Sequence, residues 1–342
     1  MRVIHNDTTT MTTKEWEAAR QHGPNGDIPV TLGGSDAGTV MGVNPWSSIN
    51  ELWLRKAGRI PEPERSDESK LRLEIGHIGE AFIAELFEKV TGFTVIDEDR
   101  MFQHDEFDWA LANVDRMYID EHGEVHILEI KTVGYSMKGE WADGSIPPQY
   151  EAQVRFYMGV LGIDRAAIIG CWGFGATDYS IVYIDRDLRI EKQLFAKCDA
   201  FVKSVIAGEE PPVQGNGAKE KAAILAANSP LRKETAKLPP NATAEAALLL
   251  QTQIKQAKDE LKKMENQMDL YHAEIIRTLG GASSAVFRRT TAETGILFDA
   301  KEIQTTRLDT TALKKAEPEL CEAYSKTSTS TRVTIKEIKD NK

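Results

Sequence analysis

The stretch "HILEIKTVG", residues 126–134, poses a problem of burial. It has the apolar content of an inner β-strand, yet it holds Glu129 and Lys131 two residues apart. In a strand, residues i and i+2 point to the same face. Glu129 and Lys131 therefore project together, while Leu128 and Ile130 point the other way into a core. The apolar run comes before the pair, which puts the pair near the buried middle of a sheet. Charged groups there need partners or a metal.

Residues 109–120 read as a second strand, joined to 124–132 through the turn "DEHG" (120–123), a hairpin signal. Asp115 lies on the strand expected to pair with that of Glu129, so two carboxylates can reach one point. Two carboxylates and a backbone carbonyl make a hard oxygen site that suits Mg²⁺ or Mn²⁺. An ammonium beside them can orient or deprotonate a water, or neutralise charge developing on phosphorus. A carboxylate from the preceding helix would complete the cage. "EIGHIGEAF" offers Glu74 and Glu80. Glu80 is preferred, because Gly76 and Gly79 let that part of the helix approach another backbone, and Glu74 is nearer the exposed start.

The surrounding chain supplies the frame. Residues 12–22, 48–58, 69–92, 147–162 and 186–208 read as helices. Thr12/Glu15 and Ser48/Glu51 have capping-box spacing, and Gly58 and Gly92 are stops. In 69–92 the apolar face is read from Leu71, Ile75, Ile78, Phe82, Leu86 and Val90. "LGGSDAGTVMG" (32–42) is a glycine-punctuated turn with a short helix. Strands are expected at 93–97, "RAAIIGCW" and "DYSIVYID". The order of helices, three strands, helix, two strands and helix predicts a mixed sheet flanked by helices, in the α/β (α+β) class. On the helix 147–162, Gln149 and Gln153 share a face with Tyr157 next along it, suited to phosphate or sugar oxygens.

The composition changes after "EEPPVQGNG" (209–217). The expected domains are 1–212, a linker 213–241, a heptad helix 242–281, and a small α/β module 282–342. In the long helix Leu250, Ile254, Ala257, Leu261, Met264, Met268, Tyr271 and Ile275 alternate by four and three residues. Packing within its own domain is the favoured reading of that seam, ahead of a contact between copies or with a partner. The end module is read as strands "AVFRRTT" and "STRVTIKEIK" around a helix near Leu313–Tyr324.

The chain has 342 residues and a net charge of −11. Residues 213–342 hold 21 Lys and Arg against 17 Asp and Glu (net +4), which leaves 21 against 36 (net −15) for residues 1–212. This argues against a broad basic patch but allows a local groove or carboxylates gathered around cations. Cys171, Cys198 and Cys321 lie far apart, so a disulfide framework, a structural zinc or an iron–sulfur cluster is not expected. No run approaches the ~20 apolar residues of a membrane span, and the first residues lack the apolar core of a signal peptide. A reducing cytoplasm is the expected compartment. His122 and His126 are read as solvated strand histidines, and the Trp46/Trp53 region as core.

Asp, then Glu-X-Lys, after a helix carrying Glu, resembles the PD-(D/E)XK nuclease superfamily. "LGGSDAGTVMGVNPWSSINELWLRKAG", "EIGHIGEAF", "ANVDRM", "LEIKT" and "PPQYEAQVRFYMGVLG", in that order, resemble the YqaJ-like viral recombinases, relatives of lambda exonuclease, over about 15–210. Where the superfamily has a proline before its aspartate, this chain has Asn113–Val114. The resemblance implies a restriction-endonuclease-like fold and a metal-dependent deoxyribonuclease. Such an enzyme degrades one strand of linear duplex DNA from its 5′ end, needs Mg²⁺, and leaves 3′ single strands for an annealing protein in phage-type recombination. Asp115, Glu129, Glu80 and the Ile130 carbonyl correspond to metal ligands, and Lys131 to the catalytic lysine. Ser35, Gln153, Arg20 and Tyr150 correspond to groups that hold the terminal 5′ phosphate or DNA. The family precedent adds duplex DNA ends as substrate, a homo-oligomer such as a ring trimer, no membrane, and a phage or prophage origin with action in the bacterial cytoplasm. The alternatives are a non-catalytic DNA-binding scaffold on the same fold and an endonuclease.

Overall fold

Glycines and prolines divide the chain, and the elements follow them. The computed structural model describes residues 1–62, 66–213, 217–228, 239–288, 295–299, 306 and 309–325. These fall into two compact units, Met1–Leu231 and Arg232–Lys342. Among the described residues no helix is long and apolar enough to cross a membrane.

In the first unit β1 (Arg2–His5) is followed by α1 (Thr13–His22), α2 (Gly34–Val40), α3 (Ile49–Lys56) and α4 (Asp67–Thr91). The strands β2 (Thr94–Asp97), β3 (Met101–Gln103), β4 (Leu111–Ala112), β5 (Arg116–Ile119) and β6 (Val125–Thr132) come next. Then come α5 (Pro148–Leu161), β7 (Arg165–Cys171), β8 (Tyr179–Asp185), α6 (Leu188–Ala207) and α7 (Gly217–Ala227). The Thr12–Glu15 capping box closes reciprocally, and Ser48 Oγ accepts from the Glu51 N–H. Gly92 and Gly162 end α4 and α5 in the left-handed region that a Cβ disfavours.

The main sheet runs β2-β5-β6-β7-β8. Only β6 and β7 are parallel, and α5 makes their crossover. This is the mixed sheet flanked by helices that the element order predicts. One face carries Ile127, Ala166 and Ile168 against α5 and α6; the other carries Leu128, Ile130 and Ile169 against α4. Strand β6 thus has apolar residues on both sides, and Glu129 is carried into the core with no exposed surface.

Several expectations change, four of them here. The segment 109–120 is not one strand: β4 pairs with β3 in a small sheet ordered β1-β3-β4, the chain leaves that sheet at 113–115, and β5 enters the main one. Asp115 therefore stands at the break. The α4 stripe is also misread. Leu71, Ile75, Ile78, Phe82 and Val90 are exposed, and the helix seats itself through Ile83, Ala84 and Phe87. Only the C-terminal part of α4 lies on the sheet, so the periodicity of the whole helix does not mark its packed face. Thirdly, the segment read as linker holds α7, which packs on α3 and buries Ala223. Fourthly, His126 is buried rather than solvated, beside the Tyr118 ring and bonded to Asp120, whereas His122 is exposed.

The second unit has α8 (Ala242–Leu279), the hairpin β9 (Ser284–Arg288) and β10 (Gly295–Asp299), and α9 (Thr310–Ala316) and α10 (Pro318–Ala323). The helix expected near Leu313–Tyr324 is two pieces, because Pro318 cannot donate to the preceding turn. Among the described residues the expected packing of the heptad seam within its own domain is limited to its end: α8 has no fully buried residue, Ile275 is half-buried, and the His272 ring meets that of Phe298 at 5.8 Å. The strand "STRVTIKEIK" and Arg289 lie outside the described residues.

The seating of α4 gives a test. Phe87, fully buried against Phe93 and Tyr118, anchors it. Phe87→Ala is expected to cost about 3–5 kcal/mol, and Ile78→Ala less than about 0.5 kcal/mol, by urea unfolding. The reverse order would show that the stripe read from the sequence is the packed one.

Candidate active site

Strand β6, the start of β5 and α5 set Asp115, Glu129, Lys131 and Gln153 side by side, whereas the Glu80, Asp115 and Glu129 carboxylates do not all come within 4.8 Å of one another. Strand β6 presents Glu129 and Lys131 on one face, as the period of two requires. The β5–β6 register pairs Arg116 with Leu128, so the next step back puts Asp115 across from Glu129. Because β5 ends there, the Ile130 N–H has no ladder partner on that side and donates to Asp115 Oδ2 at 2.9 Å. In an extended strand, the carbonyl of a residue points to the same edge as its N–H. The Ile130 carbonyl thus faces the gap that Asp115 occupies.

Glu129 is the most constrained group. Its Oε1 accepts from Lys131 Nζ at 2.5 Å and from Gln153 Nε2 at 2.6 Å. Its Oε2 is buried with no hydrogen-bond partner. Burial pushes its pKa up to about 8, with the Asp115 charge adding to the shift and the Lys131 ammonium opposing it. Lys131 keeps 20% of its side chain exposed. Burial would lower its pKa, but Glu129 and Asp115 outweigh burial and hold the ammonium protonated. Glu80, on α4, is half-buried, and burial and Asp115 raise its pKa against His77, Arg116 and Lys131. Glu74 is exposed.

A second group adjoins the first through α5. Gln153 donates also to the Tyr157 hydroxyl at 3.2 Å. A Cβ on Gly34 would lie 2.5 Å from the Tyr157 ring and 3.0 Å from Gln153 Cγ, so the "GG" of this motif allows α2 to touch α5. Next to it, Ser35 Oγ accepts from Arg20 Nη2 at 2.9 Å. Arg20 is 15 residues upstream, and a bond from Thr31 Oγ1 to the Arg20 carbonyl folds the intervening loop back. Tyr150 lies under the Lys131 ammonium, 5.2 Å from ring centre to Nζ. Its ring meets those of Trp46 and Trp141, each 6.0 Å away. Of the tryptophans expected in the core, Trp53 is fully buried but Trp46 is half-exposed beside Tyr150.

Sequence reasoning missed Asp36 and Lys56, which pair at 3.3 Å. Burial would raise the Asp36 pKa, but Lys56 and Arg20 bring it below the usual value. The Asp in "GGSDA" was a visible signal, since Asp36 Oδ2 accepts from the Gly33 N–H three residues back.

The donor set fits a divalent cation. The oxygens are hard, the Glu129 Oε2 atom is buried without a partner, and the Asp115 charge acts on the Glu129 carboxyl. Glu80, Asp115 and Glu129 repel one another, and Glu129 is drawn toward Lys131 and Gln153. A tighter grouping, with donor atoms within 4.8 Å of one another, lies elsewhere among the described residues, at Asp120, Glu124 and His126. Local turn bonding accounts for that one: Asp120 accepts from the N–H groups of His122 and Glu124 and bonds the His126 ring.

A carboxyl whose folded-state pKa is raised binds its proton more tightly when folded. The stability Glu129 contributes is therefore full below about pH 4.5 and is lost as pH rises toward 8. Thermal melts in chelator from pH 5 to 9 should show that loss in the parent chain and a flatter profile in Glu129→Gln. Equal slopes would contradict the assignment.

Residues 15–164 match the family described as the YqaJ-like viral recombinase domain. Over 340 residues the chain is 29% identical to the uncharacterized protein YqaJ of Bacillus subtilis (strain 168), covering 96% of this chain and 95% of that protein. Among solved structures, the alkaline exonuclease LHK-Exo of Laribacter hongkongensis has 20% identity and a TM-score of 0.45, covering 62% of this chain and 100% of its own. A second structure, of LHK-Exo in complex with dAMP, has 21% identity and a TM-score of 0.46 over the same shares. Residues 15–164 of this chain thus match the YqaJ-like viral recombinase domain, and nearly the whole of its length is similar to the YqaJ protein.

Proposed function

We propose that this chain is a metal-dependent deoxyribonuclease that digests one strand of linear duplex DNA from its 5′ end. The observation that carries this reading is the convergence of Asp115, Glu129 and Lys131 at the end of β5, with Glu129 buried and one oxygen unpartnered. Asp115, Glu129, Glu80 and the Ile130 carbonyl would hold Mg²⁺, or Mn²⁺ in its place. The bound ion would supply Lewis-acid polarisation of the phosphate and a more acidic water. Lys131, kept protonated by its carboxylate neighbours, orients the attacking water and neutralises charge developing on the phosphate. Arg20 and Ser35, with Gln153 behind them, would take the terminal 5′ phosphate, and Tyr150 would support the Lys131 stem.

The nuclease domain is assigned to residues 1–212, with 213–241 as a connection containing α7, 242–281 as the heptad helix and 282–342 as a small α/β module. The family supports a role in phage-type recombination, with duplex ends as substrate, a single-strand annealing protein as partner, and a homo-oligomer, on precedent a ring of three, acting in the bacterial cytoplasm.

End-labelled duplexes test this reading. With Mg²⁺, linear DNA bearing a 5′ phosphate should release its 5′ label first, and circular DNA should persist. Lys131→Ala should lower that rate by about 10²- to 10³-fold while Mn²⁺ binding survives. An unchanged rate would remove Lys131 from catalysis, circle cutting would favour an endonuclease, and no cleavage a scaffold.

A further inference from the structure

Helix α8 has 38 residues and buries none of them. At about 1.5 Å per residue it is roughly 57 Å long. Both ends are defined: the Asn241 side chain accepts from the Ala244 N–H, and Gly280 is left-handed. Along it Leu250, Ile254, Leu261, Met264 and Met268 are 47–69% exposed. So long an apolar line in water calls for a cover.

The spacing of that line says what kind of cover. Its intervals of four and three average 3.5 residues, which is the period of a helix pair wound left-handed. A straight helix lying on a sheet needs 3.6, and a strict seven-residue repeat drifts ~20° per heptad away from such a surface. The fitting partner is another helix with the same repeat. Ile254, Leu261, Met268 and Ile275 take the first core position of each heptad, and Leu250, Ala257, Met264 and Tyr271 the second.

Charge decides orientation. In a parallel, in-register pair, Glu260 faces Glu265 of the second copy, twice by symmetry, and no opposite charges meet along the seam. In an antiparallel pair centred between Lys262 and Lys263, Lys258 meets Glu265 of the second copy, again twice. The core also closes in that register. Leu250 faces Ile275, Ile254 faces Tyr271, Ala257 faces Met268 and Leu261 faces Met264, so the smallest side chain meets a long flexible one. Lys258 and Glu265 are both exposed in the single chain.

We propose that α8 is a self-association element: two copies of this chain pair through it as an antiparallel two-stranded coiled coil, centred between Lys262 and Lys263. The contact is isologous and independent of the nuclease reading.

Sedimentation velocity of the full chain over a concentration series tests it. The parent chain should associate reversibly. Lys258→Glu and Glu265→Lys should each weaken association by roughly tenfold, and the double exchange should restore it. Leu261→Asp, at the centre of the seam, should abolish this step, with far-UV circular dichroism confirming that the domains stay folded. Stronger association in Glu265→Lys would mean a parallel pair and overturn the proposal. So would indifference to all four variants, which would leave α8 for a different protein or for solvent.

Discussion

The structure turns on the burial of one carboxylate. Strand β6 has apolar faces toward α4 on one side and α5 on the other, so whatever it carries at position 129 is withdrawn from water. A lone carboxylate there would be prohibitively unstable as an anion. Lys131 and Gln153 satisfy one oxygen and leave the other buried without a partner. The fold therefore gathers acidic groups that disfavour one another's ionisation in a dry place, with the Lys131 ammonium beside them. A divalent cation relieves such a site, and water is the nucleophile that such a site can activate.

The helices around the sheet serve this point. Helix α5, which the parallel β6–β7 crossover requires, delivers Gln153 and Tyr157 to the open end of β6. Helix α2 reaches α5 because Gly34 has no Cβ, and it brings Ser35 and Arg20 alongside. Helix α4 packs only by its C-terminal part, and Glu80 stands where the packed portion begins. Three helices from separate stretches of chain thus bring side chains toward one strand edge.

Much of this was legible because it depends on short-range rules. Strand period put Glu129 and Lys131 on one face, capping residues marked α1 and α3, and glycines marked the ends of α4 and α5. What was not legible depends on contacts distant in sequence. The break at Asn113–Asp115 arises because β4 is claimed by β3 in a different sheet. Apolar spacing along α4 could not reveal that its first half has no sheet beneath it. His126 looked like a solvated strand histidine, but Tyr118 across the hairpin and Asp120 enclose it. Arg20 reaches Ser35 only because the loop between them folds back. The seam of α8 was readable as a heptad, but its exposure was not, because no single-chain pattern states what lies opposite.

Anomalous diffraction from crystals of the full chain soaked in Mn²⁺ examines the central claim most directly. A peak between the Asp115 and Glu129 carboxylates, within reach of the Ile130 carbonyl, is the predicted result. A peak confined to Asp120, Glu124 and His126, with none at Glu129, would contradict it.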